Sequence, residues 1–270
     1  MSLKRTDYGA AGAVMLGIVA VYFFAPDARF LAWDDAANLL NNDRWRGLSS
    51  EHLRWMWGTR HYGPWQPLSW LSWAVDHAVW GLDPAAFRRT NVFLHAAASG
   101  LFVLVCRRLI SEILPRLSSS AVLFGSVAAA VFFGLHPLRV ESVVWITERR
   151  DVLSGFFAVL SVLMWLESRR GLSAFALIGA VLSKGTSIAV VPFLVAVDIA
   201  VKKRTFRKTF IDLLPHIAIA IFAAIMNLRG FSTGDLPIPD ISWVDRLLIS
   251  LSGCWFYLEK TFLPLGLSPY

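Results

Sequence analysis

The sequence predicts an all-α polytopic membrane protein, a bundle of about eight apolar helices with a large first external loop containing interfacial helices. Three observations point there. Of 270 residues 56% are hydrophobic, with 12 Trp, 19 Phe and a mean hydropathy of +0.55, and the apolar residues gather in blocks of spanning or near-spanning length. No ten-residue stretches alternate apolar with polar residues, and backbone groups in lipid must pair within their own segment, so helices are expected and a barrel is not. The 26 Lys and Arg residues, which give a formal net charge of +7, sit at the ends of apolar runs and form no continuous basic surface. They read as topology determinants, which makes the lipid bilayer a partner and argues against nucleic acid. A single membrane domain over residues 1–270 is the simplest division.

Taken in order, Lys4 and Arg5 precede an apolar run over residues 8–25. That run exceeds the roughly 7 to 15 residues of a signal-peptide core, and no small-x-small cleavage site follows it. An uncleaved first span with a cytoplasmic amino end is expected. Residues 27–89, rich in Trp, Arg and Asp, are too charged to cross a bilayer and too aromatic for a solvated linker. They should form an ordered first external loop lying on the interface. Within it Trp65, Leu68, Leu71, Val75 and Val79 recur at helical spacing, predicting a helix along the membrane surface.

Residues 91–105 form an inward span that ends at Arg107-Arg108, and residues 121–135 run outward again. Residues 136–151 then make a second external loop, and residues 152–166 return inward to Arg169-Arg170. The apolar run 172–201 would be about 45 Å long as one helix. A single crossing would leave Lys202, Lys203, Arg204, Arg207 and Lys208 outside, against the positive-inside bias. Two short helices meeting near Ser183, Lys184 and Gly185 keep that cluster inside and put Lys184 near the outer surface, in a break lined by protein or water. Residues 211–228 run outward, 230–243 form an external loop marked by Gly234, Pro237 and Pro239, and 247–263 run inward. Cys106 and Cys254 each lie inside an apolar run and read as packing residues, with no disulfide or metal role.

Connectors between spans are ordinarily bland, whereas residues 136–151 carry His136, Arg139, Glu141, Trp145, Glu148, Arg149, Arg150 and Asp151. Ionisable groups near bilayer depth are costly unless something uses them. Parity puts this loop on the same face as the Asp34-Asp35 pair and Lys184. Carboxylates beside Arg and Lys at a lipid–water boundary suit work on a lipid-linked phosphate, with cations neutralising the phosphate and an acid serving as general base.

Plainer explanations compete with that one. Adjacent acids after a span also start solvated loops or cap helices. Glu141 and Glu148, seven residues apart, would share a helical face with Trp145 and could join Arg149 and Asp151 in a salt-bridge network. His136-Pro137 fits a helix terminator with an interfacial imidazole. Arg139, Arg149 and Arg150 run against the positive-inside bias and call for an anion, and Lys184 calls for a partner. Asn91 with His95, and His216 with Asn227, fit interhelical hydrogen bonding. No closed set of metal ligands is present, although the charge of Asp34 and Asp35 is compatible with a divalent cation beside them.

One pattern gathers these residues: Trp33-Asp34-Asp35 with Asn41-Asn42, then Pro67-Leu68-Ser69, then Gly81-Leu82-Asp83-Pro84 with Phe87, Thr90-Asn91 and Leu94-His95. It continues with His136-Pro137, Glu141-Ser142-Val143, Trp145, Arg149 and Asp151, and closes on Ser183-Lys184. In order and spacing it resembles the membrane part of the transmembrane and tetratricopeptide-repeat O-mannosyltransferase family and its bacterial relatives. The resemblance implies a GT-C fold in a multi-pass protein of a bacterial inner membrane. It also implies a polyprenyl-phosphate-linked sugar as donor and a protein or glycan hydroxyl as acceptor, on the extracytoplasmic face.

By the same resemblance the catalytic acid of the first external loop maps to Asp34, with Asp35 beside it. A single displacement would invert the anomeric carbon and expel the lipid phosphate. Arg149, Lys184 and Arg150 would hold that phosphate, while Glu141, Asp151, His136 and Trp145 would support them or line the acceptor site. Two positions depart from the pattern: Gln66 stands where relatives often have Arg, and Gly185 follows Lys184 where an acid is common. Relatives also continue through further spans and add tetratricopeptide repeats, so a C-terminally short domain without repeats is expected. An inverting transferase of a mannose-like hexose is the expected function, with a lipid-phosphate transporter or flippase-like protein, or a non-catalytic truncated relative, as the alternatives. Acids and cations confined to one face favour the enzyme, and an inverted repeat around a midplane site would favour transport.

Overall fold

The computed structural model describes residues 3–23, 29–231 and 241–267. Helices α1 (Arg5–Phe23), α2 (Ser50–Gly58), α3 (Pro67–Trp80), α4 (Pro84–Ile113), α5 (Ser119–Leu135), α6 (Val140–Val144), α7 (Arg149–Leu166), α8 (Arg170–Ser183), α9 (Val190–Ala196), α10 (Phe206–Phe231) and α11 (Trp243–Phe262) follow in order, without a strand among the described residues. The all-α expectation is borne out. Helices α1 and α4, and residues Phe206–Arg229 of α10, are long and apolar enough to cross a membrane; α5 with residues 137–144, bent by 52°, makes a fourth if counted as one span. The chain is a multi-pass α-helical membrane protein.

At the centre stands α4, 30 residues and so about 45 Å long, packed against α1, α5 and α7. Its early start has a local cause. The Asp83 side chain accepts a hydrogen bond from Ala85 N at 2.9 Å and Pro84 opens the first turn, a combination that nucleates a helix six residues inside the expected loop. Small residues let the helices approach: a Cβ on Gly134 of α5 would lie 2.8 Å from Ser99 Oγ, and one on Gly100 would lie 2.8 Å from Met15 Sδ. The apolar core runs through Ile18, Val103, Ala130, Trp165, Leu177 and Leu194.

The first loop is ordered around a second core, in which Trp45, Met56, Trp70, Trp73, Phe87 and Ile146 pack together. Helix α3 forms where the spacing predicts one, but the face that packs on protein carries Ser69, Trp70, Trp73 and Asp76. Val75 and Val79 of the predicted stripe point away and are exposed.

The α8–α9 segment is the hairpin expected from the charges. Its limbs meet at Lys184 and the 3₁₀ turn Gly185–Ala189, and the π-helical turn Val197–Val201 returns to the start of α8. There Asp198 accepts from Trp165 Nε1 at 2.9 Å and pairs with Arg204 at 2.6 Å. The same end of the bundle holds Arg107 against Asp7 at 3.0 Å and Arg108 against Glu167 at 2.6 Å. Arg107, Arg108, Lys202 and Arg204 therefore gather at one end and Lys184 stands at the other.

One expected direction is corrected. An inward run over residues 247–263 would carry Thr261 to the basic end, yet Thr261 O accepts from His136 Nε2 at 3.0 Å, at the Lys184 end. No residue of α11 is buried, so hydropathy identifies this helix while no packing face dictates its direction. Of the expected external loop over 230–243, residues 232–240 lie outside the described residues.

Candidate functional site

The site end of the bundle is shaped by proline. Pro137 forces His136 into extended backbone (φ −62°, ψ 134°) and ends α5. A 3₁₀ turn, Pro137–Arg139, and the single turn of α6 follow. Trp145 is extended again (φ −75°, ψ 124°) before α7 begins. Because the helix stops at Val144, Glu141 and Glu148 share no face: Glu141 is exposed while Glu148 is buried, and the expectation of a common face is corrected.

His136 acts on its own backbone turn. Nδ1 accepts from Leu138 N at 3.2 Å and Nε2 donates to Thr261 O, so the ring caps the 3₁₀ turn. It also lines, with Phe133, Arg139 and Thr261, an apolar cavity of about 300 Å³ between α4, α5 and α11. Trp145 lies 6.1 Å from Trp33 by ring centroids, tying the second loop to the first, and its carbonyl accepts from Asn91 Nδ2 at 3.1 Å.

The two neighbouring aspartates are held quite differently. Asp35 is fully buried. Its Oδ1 accepts from Thr147 N at 2.9 Å and from the Thr147 hydroxyl, and its Oδ2 accepts from Leu31 N at 2.9 Å. It therefore pins the first loop to the turn before α7, and its lone pairs are spent on protein. Asp34 keeps 44% of its side chain exposed and reaches Arg150 at 3.8 Å. The two do not chelate, and no group of three or more His, Cys, Asp or Glu side chains is poised for a metal among the described residues.

Arg149, expected to hold phosphate, is enclosed. Its side chain is 0% exposed and pairs with Asp76 of α3 at 2.6 Å. The guanidinium also donates to Ser72 Oγ and Phe87 O, each at 2.7 Å, and to Asn91 Oδ1. All three of its nitrogens face protein, so the expectation of phosphate contact is corrected: Arg149 braces α7 against α3 and α4. In the sequence Asp76 only interrupts the apolar spacing of this helix, though a lone carboxylate within an apolar helix is a signal that a buried partner exists.

Arg150, Lys184 and three acids form a continuous chain of ion pairs. From Asp34 it passes to Arg150, which meets Glu148 at 2.5 Å; Glu148 meets Lys184 at 3.6 Å, and Lys184 bonds Asp151, whose other oxygen accepts from Ser142 at 3.2 Å. Four expected residues, Asp34, Arg150, Asp151 and Lys184, are thus brought together with Glu148 as the link. Glu141 and His136 contribute no member. Burial first, and then the hydrogen-bonded carboxyl of Asp151, push the Glu148 carboxyl above its ordinary range, with Arg150 pulling the other way.

Lys184 is presented by a break whose backbone is satisfied by protein. Ser183 O accepts from Ser69 Oγ of α3 at 3.0 Å, Lys184 N bonds Ala180 O at 3.0 Å, and Ser187 N bonds Lys184 O at 3.1 Å. Gly185 has a steric reason to be glycine, since a Cβ there would come within 2.5 Å of Asn227 Nδ2. Asn227 in turn accepts from Trp65 N at 3.3 Å. Gln66, the other departure from the family pattern, is buried at the N-cap of α3.

The resemblance read from the motifs is borne out by direct comparison. Over 165 residues the chain is 32% identical to Protein O-mannosyl-transferase TMTC2 of Mus musculus, an alignment that covers 58% of this chain and 18% of that protein. It is 28% identical to Protein O-mannosyl-transferase TMTC4 of Homo sapiens over 172 residues, 58% of this chain and 23% of the other. With Protein O-mannosyl-transferase TMTC3 of Mus musculus it shares 26% identity over 131 residues, 48% and 12% of the two. The chain spans between 12% and 23% of the length of these relatives. No family model matches the chain, and no solved structure matches it.

Proposed function

We propose that the chain forms the donor end of an inverting glycosyltransferase, which moves a mannose-like hexose from a polyprenyl-phosphate donor to a protein hydroxyl. The reaction takes place on the extracytoplasmic face of a bacterial inner membrane, with the amino terminus cytoplasmic. The observation that carries this reading is the chain of ion pairs from Asp34 through Arg150, Glu148 and Lys184 to Asp151, drawn from three separate segments at one end of the bundle. The similarity to protein O-mannosyl-transferases suggests the reaction class, and this cluster supplies the groups the chemistry needs.

Asp34, half-exposed beside Arg150, is the general base. It takes the proton of the acceptor hydroxyl as that oxygen bonds to the anomeric carbon. The bond from that carbon to the phosphate oxygen breaks, its electron pair leaves with the lipid phosphate, and Arg150 and Lys184 neutralise the growing charge. Asp35 positions the first loop through Thr147, and Arg149 anchors the first turn of α7, which carries Arg150 and Asp151, to α3 and α4. The apolar cavity by His136 and Arg139 suits the first isoprene units of the donor. Confinement of the cluster to one end, away from the middle of the helices, speaks against a transport path.

The test uses purified protein in nanodiscs with radiolabelled polyprenyl-phosphate mannose or glucose and peptide acceptors. Transfer from the mannose donor with inverted product configuration is expected, and Asp34→Asn and Lys184→Ala should each suppress it. Transfer that neither substitution reduces would overturn the site assignment.

A further inference from the structure

Resting on the reading of Arg150 and Lys184 as phosphate ligands, we propose that Glu148 is a resident counter-anion. It occupies the place of the donor phosphate in the unliganded protein and yields it by taking up a proton, so that donor binding and proton uptake are one event.

The geometry of the carboxylate is the first support. Oε1 accepts from Arg150 Nη2 at 2.5 Å and Nε at 3.1 Å, while Oε2 faces Lys184 Nζ at 3.6 Å. Separate oxygens bridging a guanidinium and an ammonium reproduce the pattern two non-ester oxygens of a phosphodiester would make. A ligand phosphate and an ionised Glu148 therefore compete for the same donors.

Charge is the second support. With every group ionised, Asp34, Glu148 and Asp151 set three negative charges against the two positive charges of Arg150 and Lys184, and Arg139, which acts on Asp151 from the preceding turn, supplies a third. A sugar phosphodiester adds one more negative charge to a partly desolvated cluster that is otherwise balanced and leaves it with an excess of one, which is costly. One proton removes the conflict. Glu148 is the acid to receive it: its side chain is 9% exposed, against 30% for Asp151 and 44% for Asp34. The charged groups facing it are Asp151 and Arg150 of α7 and Lys184 of the α8 break, with Asp34 of the first loop behind Arg150 and Arg139 behind Asp151. Burial and the Asp151 carboxyl already favour its neutral form. A neutral Glu148 can donate to Asp151 and release both cations to the incoming phosphate. By contrast the Arg149 network has no exposed member at its cation, whereas Arg150 and Lys184 keep 18% and 31% of their side chains open to solvent.

Farnesyl methyl phosphate is the probe, because a diester holds a single negative charge throughout the neutral range and any pH dependence then belongs to the protein. Binding is measured by calorimetry in phosphatidylcholine nanodiscs for wild type, Glu148→Gln and Lys184→Ala, in buffers of different ionisation enthalpy. The wild-type Kd should weaken by up to about tenfold per pH unit on the alkaline side, with close to one proton taken up per probe. Glu148→Gln should bind about tenfold more tightly at pH 8 and lose the pH dependence. Lys184→Ala should weaken binding at every pH. Wild-type binding that depends on Lys184 but takes up no proton, or a Glu148→Gln protein that keeps the wild-type profile, overturns the role of Glu148 and leaves the proposed function standing. Absence of binding to both wild type and Glu148→Gln overturns both. Should Glu148→Gln fail to fold, the proton count on wild type decides alone.

Discussion

Arg149 and Asp76 lie 73 residues apart in sequence and form a buried ion pair at 2.6 Å, through which the first turn of α7 is bolted to α3. Leaving one member of such a pair buried alone costs about 3–5 kcal/mol. Asp76→Ala should lose stability of that size in equilibrium unfolding from detergent micelles. The double substitution Arg149→Met with Asp76→Leu should regain most of it. A single substitution that unfolds like wild type would show that the pair does not brace the bundle.

Asp34 and Asp35 should separate cleanly despite being neighbours. Asp34→Asn is expected to keep the wild-type melting profile and lower transfer by about 10²- to 10⁴-fold, the contribution of a general base. Asp35→Ala removes the acceptor of three hydrogen bonds and should cost at least about 1–3 kcal/mol of stability. Equal loss of stability in both would contradict the division of roles.

The two polar ends predict opposite labelling. In a background with Cys106→Ala and Cys254→Ser, a membrane-impermeant maleimide should label Glu141→Cys in intact cells. It should label Lys203→Cys only after lysis, since Glu141 and Lys203 are both exposed and stand at opposite ends. Labelling of both from the same side would refute the arrangement.

Gly185 should resist replacement by an acid. Gly185→Asp would drive its Cβ against Asn227 and is expected to cost about 1–3 kcal/mol by overpacking. Adding Asn227→Ala makes room and should restore much of the loss in the same unfolding assay. A Gly185→Asp protein of unaltered stability would mean that Asn227 yields freely.

The course of the chain through the bundle is largely legible in the sequence, because hydropathy and the placement of Lys and Arg are properties each segment carries by itself. The hairpin at Lys184 is the clearest instance, since the basic cluster beyond it admits few other paths. The inner workings of the site are less legible for a physical reason. Whether Arg149 faces a ligand or a buried Asp76 is decided by a contact across 73 residues, and Asp34 and Asp35 differ only in which way the loop turns them. Glu148 reads as one acid among several until the fold sets it between two cations. The direction of α11 is lost for the opposite reason, because no buried residue of that helix constrains it.

The hairpin also bears on how the chain enters its bilayer. Helix α8 has 14 residues, a reach of roughly 21 Å against a hydrocarbon thickness of about 30 Å. Helix α8 is short for release into the bilayer as an independent span. Its break is completed by other helices: α3 supplies the hydroxyl that satisfies Ser183 O and α7 the carboxylate that receives Lys184. The charged end should therefore mature only once α3 and α7 are in place, and variants that weaken Ser69 or Asp151 should betray themselves during biogenesis as a chain held back by membrane quality control.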